Sequence, residues 1–141
     1  MSITINLAGV PFLKQGEAEY QTIVDYSDGK EIIMILQGDD EDTLRHASDT
    51  FLRFWWEFPK HNTAIKKAIA DDALKDLPEW SDETVTEEEF IQRIWPSGIV
   101  FFDGDVIIAY YELDGMFTNH CMHVNCTLKE TLEITDMYLE G

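Results

Sequence analysis

The chain has 141 residues and a formal net charge of −18, with 28 Asp and Glu residues against 10 Lys and Arg. Hydrophobic residues make up 45% of it and aromatic residues 12%, which argues against a disordered acidic tail and predicts a single folded domain over residues 1–141. Binding to nucleic acid requires Lys and Arg opposite the phosphates, and an anionic membrane repels an acidic surface, so we expect neither partner; basic proteins or cations remain.

The amino terminus and the cysteines indicate a cytoplasmic protein. Residues 1–10 have no basic segment followed by a long apolar stretch, and no apolar run approaches the roughly 18 residues that span a bilayer. Cys121 and Cys126 lie five residues apart in a predicted strand, so their side chains should point to opposite faces. We therefore expect no internal disulfide, which agrees with a reducing compartment.

The first part of the chain predicts three strands. Alternating apolar and polar residues indicate a short strand over residues 3–7, and Gly9 with Pro11 should end it. Further strands are predicted over residues 20–26 and 32–36. A short glycine-containing turn separates these two strands, so they should form a hairpin.

The middle of the chain predicts helices. Apolar residues recur every three or four positions over residues 44–58, behind the acidic start Asp39–Asp42. Pro59 should break or restart this helix. A second amphipathic pattern over residues 65–77 should end at Pro78. We expect a helical hairpin or one kinked helix.

A third, short helix and four more strands complete the prediction. Thr86 and Glu89 match a capping box, so a helix should begin near Glu87, and Pro96 should stop it. Asp103–Gly104 is a turn of the kind that hairpins prefer. The remaining strands are predicted over residues 99–102, 106–111, 119–127 and 132–138.

Strands, then helices, then strands predict the α+β class. We expect a largely antiparallel sheet with two to three helices packed on one of its faces.

The chain also resembles a known bacterial family. The residues that carry the resemblance are Asp39 to Asp42, the Thr86–Glu89 helix start, the Asp103–Gly104 hairpin, Phe117 with His120, and the segment from Thr135 and Asp136 to Gly141. In these features the sequence resembles the uncharacterised family called domain of unknown function 2262. Asn119 stands where that family often has a glycine before the histidine. The resemblance implies a soluble bacterial α+β protein and transfers no catalytic residues.

Four residues near the end of the chain have the side chains of a zinc site: His120, Cys121, His123 and Cys126. Because side chains alternate along a strand, at most two of them could converge without ligands from elsewhere. We therefore expect no metal and no other cofactor, and Cys121 with His123 is the candidate half-site. A small metal-binding or metal-assisted hydrolase domain built on these two residues is the alternative function.

Five large aromatic residues lie within residues 51–58. Phe51, Phe54, Trp55 and Phe58 share one helix face and should pack in the core. Trp56 falls off that face. It is a candidate anchor for a protein partner, since Trp is enriched at interfaces.

Between residues 71 and 89 stand nine carboxylates against one lysine. Such a run is either a solvated face or a docking surface that steers a basic protein, as nuclease inhibitors and immunity proteins do. The chain lacks the Gly-x-Ser-x-Gly, phosphate-loop, dinucleotide and His-Glu-x-x-His motifs. The preferred hypothesis is therefore a non-enzymatic, immunity-like or inhibitor-like module of unknown oligomeric state. Its candidate binding residues are Asp71, Asp72, Asp76, Glu83, Glu87, Glu88, Glu89 and Trp56.

Overall fold

Eight strands form one sheet in a computed structural model of the chain, which describes residues 4–141. They are β1 (Thr4–Leu7), β2 (Val10–Gly16), β3 (Glu19–Ser27), β4 (Lys30–Gln37), β5 (Trp95–Phe101), β6 (Val106–Glu112), β7 (Cys121–Leu128) and β8 (Leu132–Glu140). Their order in the sheet is their order in the chain. All neighbours are antiparallel except β4 and β5, which are parallel. The sheet is thus two four-stranded meanders joined by one parallel pair.

The helical elements lie between β4 and β5, which confirms the predicted α+β class. They are α1 (Glu41–Trp56), α2 (Phe58–Ala73), a 3-10 helix (Leu74–Glu79) and α3 (Glu87–Arg93). Asp40 caps α1 by accepting a 2.9 Å hydrogen bond from the Thr43 amide. Pro59 lies in the first turn of α2, where an amide hydrogen would have no partner within the helix. The proline is therefore compatible with the start of a second helix directly after α1. Within residues 4–141, no helix has the length and apolarity needed to cross a membrane.

Aromatic rings join the helices to one face of the sheet. The ring of Phe51 in α1 lies 4.9 Å from that of Phe12 in β2 and 5.2 Å from that of Phe101 in β5. From α2, Ile65 and Ile69 are fully buried in the same core. These contacts confirm that the helices pack on one face, which we call the inner face.

The opposite, outer face carries an apolar row. Pairing brings six outer-face residues into one line across β3 to β8: Ile23, Ile33, Gly98, Tyr110, His123 and Tyr138. Seven large apolar side chains are exposed among the described residues, and four of them lie on this face: Leu13, Ile23, Ile33 and Tyr138. The inner face therefore holds the core, and the outer face remains accessible to solvent.

The amino-terminal prediction missed a strand. Ala8 and Gly9 form the turn of a hairpin with φ of 53° and 81°, and Pro11 lies inside β2 instead of ending the β structure. Pairing of β2 with β3 begins only at Leu13, so the missing amide hydrogen of Pro11 removes no bond to β3. Residue 3, which the sequence placed in the first strand, lies outside the described residues.

The sequence predicted that Pro96 would stop α3, but the helix ends before it. The helix ends at Arg93, Ile94 is already extended, and Pro96 lies within β5. The register of β5 against β6 shifts between Pro96 and Gly98, and such a bulge is one of the places where a strand accepts proline.

Candidate functional site

The nine carboxylates of residues 71–89 are all exposed, and we call this segment the acidic surface. It extends from the end of α2, through the 3-10 helix and the loop 80–86, into the first turn of α3. Its carboxylates are Asp71, Asp72, Asp76, Glu79, Asp82, Glu83, Glu87, Glu88 and Glu89. The packing of α3 on α2 brings the two ends of this segment together.

Lys67 joins two parts of the acidic surface. Its ammonium group donates a 2.9 Å hydrogen bond to Asp71, one turn along α2, and another hydrogen bond to Glu87 at the start of α3. The hydrogen bond to Glu87, followed by that to Asp71, raises the pKa of Lys67. Two of the candidate carboxylates therefore already have a cation from the same chain.

Arg93 neutralises a third carboxylate. Its guanidinium donates to Glu83 at 2.6 Å and to Asp114 at 2.7 Å, which fixes the loop before α3 against the loop after β6. The hydrogen bond to Glu83, and then that to Asp114, raises the pKa of Arg93.

Glu89 is part of the cap at the start of α3. Its carboxylate accepts a 3.0 Å hydrogen bond from the Thr86 amide, and the Thr86 hydroxyl accepts a 3.1 Å hydrogen bond from the Glu89 amide. This capping box confirms the predicted start of α3. The hydrogen bond from the Thr86 backbone lowers the pKa of Glu89.

Six carboxylates of the acidic surface make no ion pair with any residue from 4 to 141: Asp72, Asp76, Glu79, Asp82, Glu88 and Glu89. Glu89 is occupied by the cap of α3, and the side chains of the other five accept no hydrogen bond from the described residues either. Trp80, which lies between Glu79 and Asp82 in the chain, is 37% exposed. Its ring rests on Phe117 at 5.8 Å and on His120 at 5.0 Å. The acidic surface thus includes a partly exposed aromatic side chain, which the sequence reasoning missed because it interpreted residues 79–85 as a polar linker.

Trp56 is 85% exposed but lies apart from the acidic surface. It ends α1, next to the start of α2, whereas the acidic surface begins at the far end of α2. From Phe58 to Asp71 the helix rises about 20 Å at 1.5 Å per residue. The structure therefore does not bring Trp56 together with the predicted acidic binding residues.

Cys121 and His123 share the outer face, as predicted, and Cys126 points to the inner face. The His123 ring stacks on Tyr138 at 4.5 Å, and its Nδ1 lies 3.2 Å from a Glu140 oxygen. Among residues 4–141, no group of three or more His, Cys, Asp or Glu side chains could hold a metal ion.

Burial also affects the two thiols. Burial, followed by the charges of Glu112 and Glu140, raises the pKa of Cys121. Burial alone raises the pKa of Cys126 to about 12. Both thiols are therefore protonated in the metal-free protein at neutral pH.

A comparison with models of protein families identifies the family of the chain. The model of the family described as an uncharacterized protein conserved in bacteria (DUF2262) matches residues 13–137. The chain belongs to this family. The match confirms the resemblance noted from the sequence. No curated protein and no solved structure matches the chain.

The DUF2262 match runs from Leu13 in β2 to Met137 in β8. It therefore includes the whole acidic surface, Trp56 and the cysteine-bearing strand β7. It leaves out β1, the strand at one edge of the sheet.

Proposed function

We propose that this DUF2262 protein is a non-enzymatic interaction module that binds a basic protein partner through its acidic surface, in the manner of an immunity or inhibitor protein. The observation that supports the proposal most is the set of five exposed carboxylates with neither an ion pair nor a capping hydrogen bond in residues 4–141, on a segment that also carries the partly exposed Trp80. Carboxylates whose charge is not compensated within the chain are the ones that can attract a cationic partner.

The carboxylates and Trp80 would contribute to binding in different ways. A field of uncompensated carboxylates speeds encounter with a cationic protein and disfavours anionic competitors, while contributing less to final affinity. A large aromatic residue at the centre of such a patch supplies the desolvated contact that dominates binding energy. Trp80 is well suited to this because its ring is already held against Phe117 and His120, so binding orders it at small entropic cost.

The test must separate binding from folding. Reversing Glu87 would break the Lys67 ion pair, and reversing Glu89 would remove the α3 cap, so neither position is informative. The triple variant Asp72→Lys, Asp76→Lys and Glu88→Lys changes only carboxylates without such roles. A matched control changes charge by the same amount away from the acidic surface: Glu17→Lys, Glu31→Lys and Glu133→Lys.

Purified wild-type protein, both triple variants and Trp80→Ala are immobilised and exposed to a lysate of the native host at low and at high salt, and bound proteins are quantified by mass spectrometry. We expect one basic protein to be enriched by the wild type and the control at low salt, and released at high salt. The acidic-surface triple and Trp80→Ala should both lose it. Equal capture by all four proteins, or no basic protein bound at low salt, would contradict the proposal.

A further inference from the structure

A cleft of about 930 Å³ lies far from the acidic surface. It is formed where α1 ends and α2 begins, against the β7–β8 hairpin and the turn at Ala8, and we call it the tryptophan cleft. Its volume falls in the range of small-molecule sites, roughly 300–1,000 Å³. Its walls are largely apolar.

Two tryptophans form one wall of the cleft. Trp55 is fixed by the core, with its ring 5.8 Å from Phe51 and 5.0 Å from Phe58. Trp56, the next residue, keeps 85% of its side-chain surface in solvent. Leu128 and Leu132, from the β7–β8 hairpin, also line the cleft. A flat apolar molecule in the cleft can therefore contact both aromatic and aliphatic side chains.

Three of the ten cations of this acidic chain line the cleft: Arg53, Lys60 and Lys129. Arg53 is used by the fold, since it donates to the Leu128 carbonyl and, at 2.5 Å, to Asp105. Lys60 lies 3.3 Å from Glu57 on the helix surface. Lys129, at the tip of the hairpin, makes no ion pair with any residue between 4 and 141.

His61 supplies a polar group at the floor of the cleft. Its side chain is only 7% exposed and is stacked on Phe54 at 5.2 Å. Neither ring nitrogen has a hydrogen-bond partner among the described residues. Burial lowers the pKa of His61; the charge of Glu57 opposes this shift, and the smaller effect of Lys60 adds to it. The ring is accordingly neutral at pH 7, with one donor and one acceptor nitrogen.

We propose that the tryptophan cleft binds a small aromatic monoanion, such as an aromatic carboxylate. The ring lies against Trp55 and Trp56, the anionic group meets Lys129 and Lys60, and a polar atom of the ring meets His61. This inference does not depend on the acidic surface or on a protein partner. The lining of the cleft has three cations against the two carboxylates of Glu57 and Glu130, whereas the whole chain has 10 Lys and Arg against 28 Asp and Glu.

The matched probes are 1-anilinonaphthalene-8-sulfonate, an aromatic monoanion, and N-phenyl-1-naphthylamine, the same ring system without the sulfonate. Both are titrated by fluorescence. We expect the anion to bind more tightly. Lys129→Glu should weaken the anion about tenfold and leave the neutral probe unchanged, because it reverses one charge at the cleft. Lys75→Glu makes the same charge change at an exposed site outside the cleft and should have no effect.

A second pair of variants tests the position of the ring. Ala64→Trp fills the cleft from an exposed position of α2, and it should abolish binding of both probes. Thr63→Trp, at the neighbouring exposed position outside the lining, should not. Both substitutions lie outside the core, so the variants should fold, which circular dichroism checks.

The outer face of the sheet is the competing site for an apolar probe. NMR of the side chains locates the bound anion: we expect shifts of the Trp56 indole and the His61 ring, with the His123 ring unchanged. Shifts at His123 in place of His61, or binding of the anion that Lys129→Glu and Ala64→Trp leave intact, would overturn the proposal.

Discussion

Tyr111 shows how one buried polar group connects three elements. Its hydroxyl, in β6, donates a 2.6 Å hydrogen bond to the side-chain oxygen of Asn62 in α2. The side-chain nitrogen of Asn62 in turn donates a 3.0 Å hydrogen bond to the Tyr26 hydroxyl in β3. Burial raises the pKa of Tyr111 well above its ordinary value, so this hydroxyl stays protonated and remains a donor.

Replacing Tyr111 by Phe should reduce the free energy of unfolding by about 1–3 kcal/mol, because the buried oxygen of Asn62 is left without its donor. Tyr26→Phe removes the other end of the chain of bonds, but Tyr26 is half-buried and water can reach its position. We therefore expect a smaller loss for Tyr26→Phe. Urea denaturation measures the stability of both variants, and equal losses would contradict the greater weight assigned to Tyr111.

At the scale of elements, α3 depends on its first residues. It has seven residues, and a helix this short has little intrinsic stability, so the Thr86–Glu89 capping box, the Lys67 ion pair to Glu87 and the burial of Phe90 all contribute to holding it. The acidic surface depends on it in turn, because α3 carries three of its carboxylates.

Thr86→Ala should cost about 1 kcal/mol of stability through loss of the cap. Thr84→Ala is the matched control, since Thr84 is exposed in the preceding loop and makes no side-chain hydrogen bond in the described structure. Urea denaturation gives the stabilities, and hydrogen exchange of the amides of Phe90 and Ile91 reports the helix itself. Unchanged exchange in Thr86→Ala would show that tertiary packing alone holds α3.

Most elements could be predicted because their signals are local. The two-residue periodicity of the strands, the turn residues that separate them and the capping box of α3 each involve residues that are only a few positions apart in the sequence. Pro11 and Pro96 misled the prediction, because a proline is tolerated where a strand has no pairing partner or has a bulge, and neither condition is visible in the sequence.

The candidate sites could be predicted only in part. The acidic surface is contiguous in sequence, so its extent was evident, but the cations that neutralise part of it, Lys67 and Arg93, are placed by helix packing. The tryptophan cleft joins Trp56 to Lys129, more than seventy positions away, and no local pattern links them. From the sequence, a histidine such as His61 on an amphipathic helix cannot be distinguished from a core residue. Only the folded structure shows that it lines a cleft.

For the whole molecule, the charge of −18 sets the response to salt. Like charges on a compact body repel more strongly than on the unfolded chain, and salt screens them over about 10 Å at 0.1 M. We expect the thermal midpoint to rise with sodium chloride. The rise should be smaller in the acidic-surface triple variant, which has less charge to screen. Calorimetry over a salt series measures this, and a falling midpoint would mean that the ion pairs outweigh the repulsion.

The parallel contact between β4 and β5 has a consequence for how the chain acquires its shape. Each meander pairs only stretches that follow one another directly, so either can assemble from nearby contacts. The parallel pairing of β4 with β5, which we call the seam, requires residues 38–94 to form a closed loop. Closing so long a loop costs conformational entropy, which disfavours early formation of the seam. Because the helices inside that loop bury the aromatic core against both halves, the seam and the core should form in a single late event, and neither meander should persist alone.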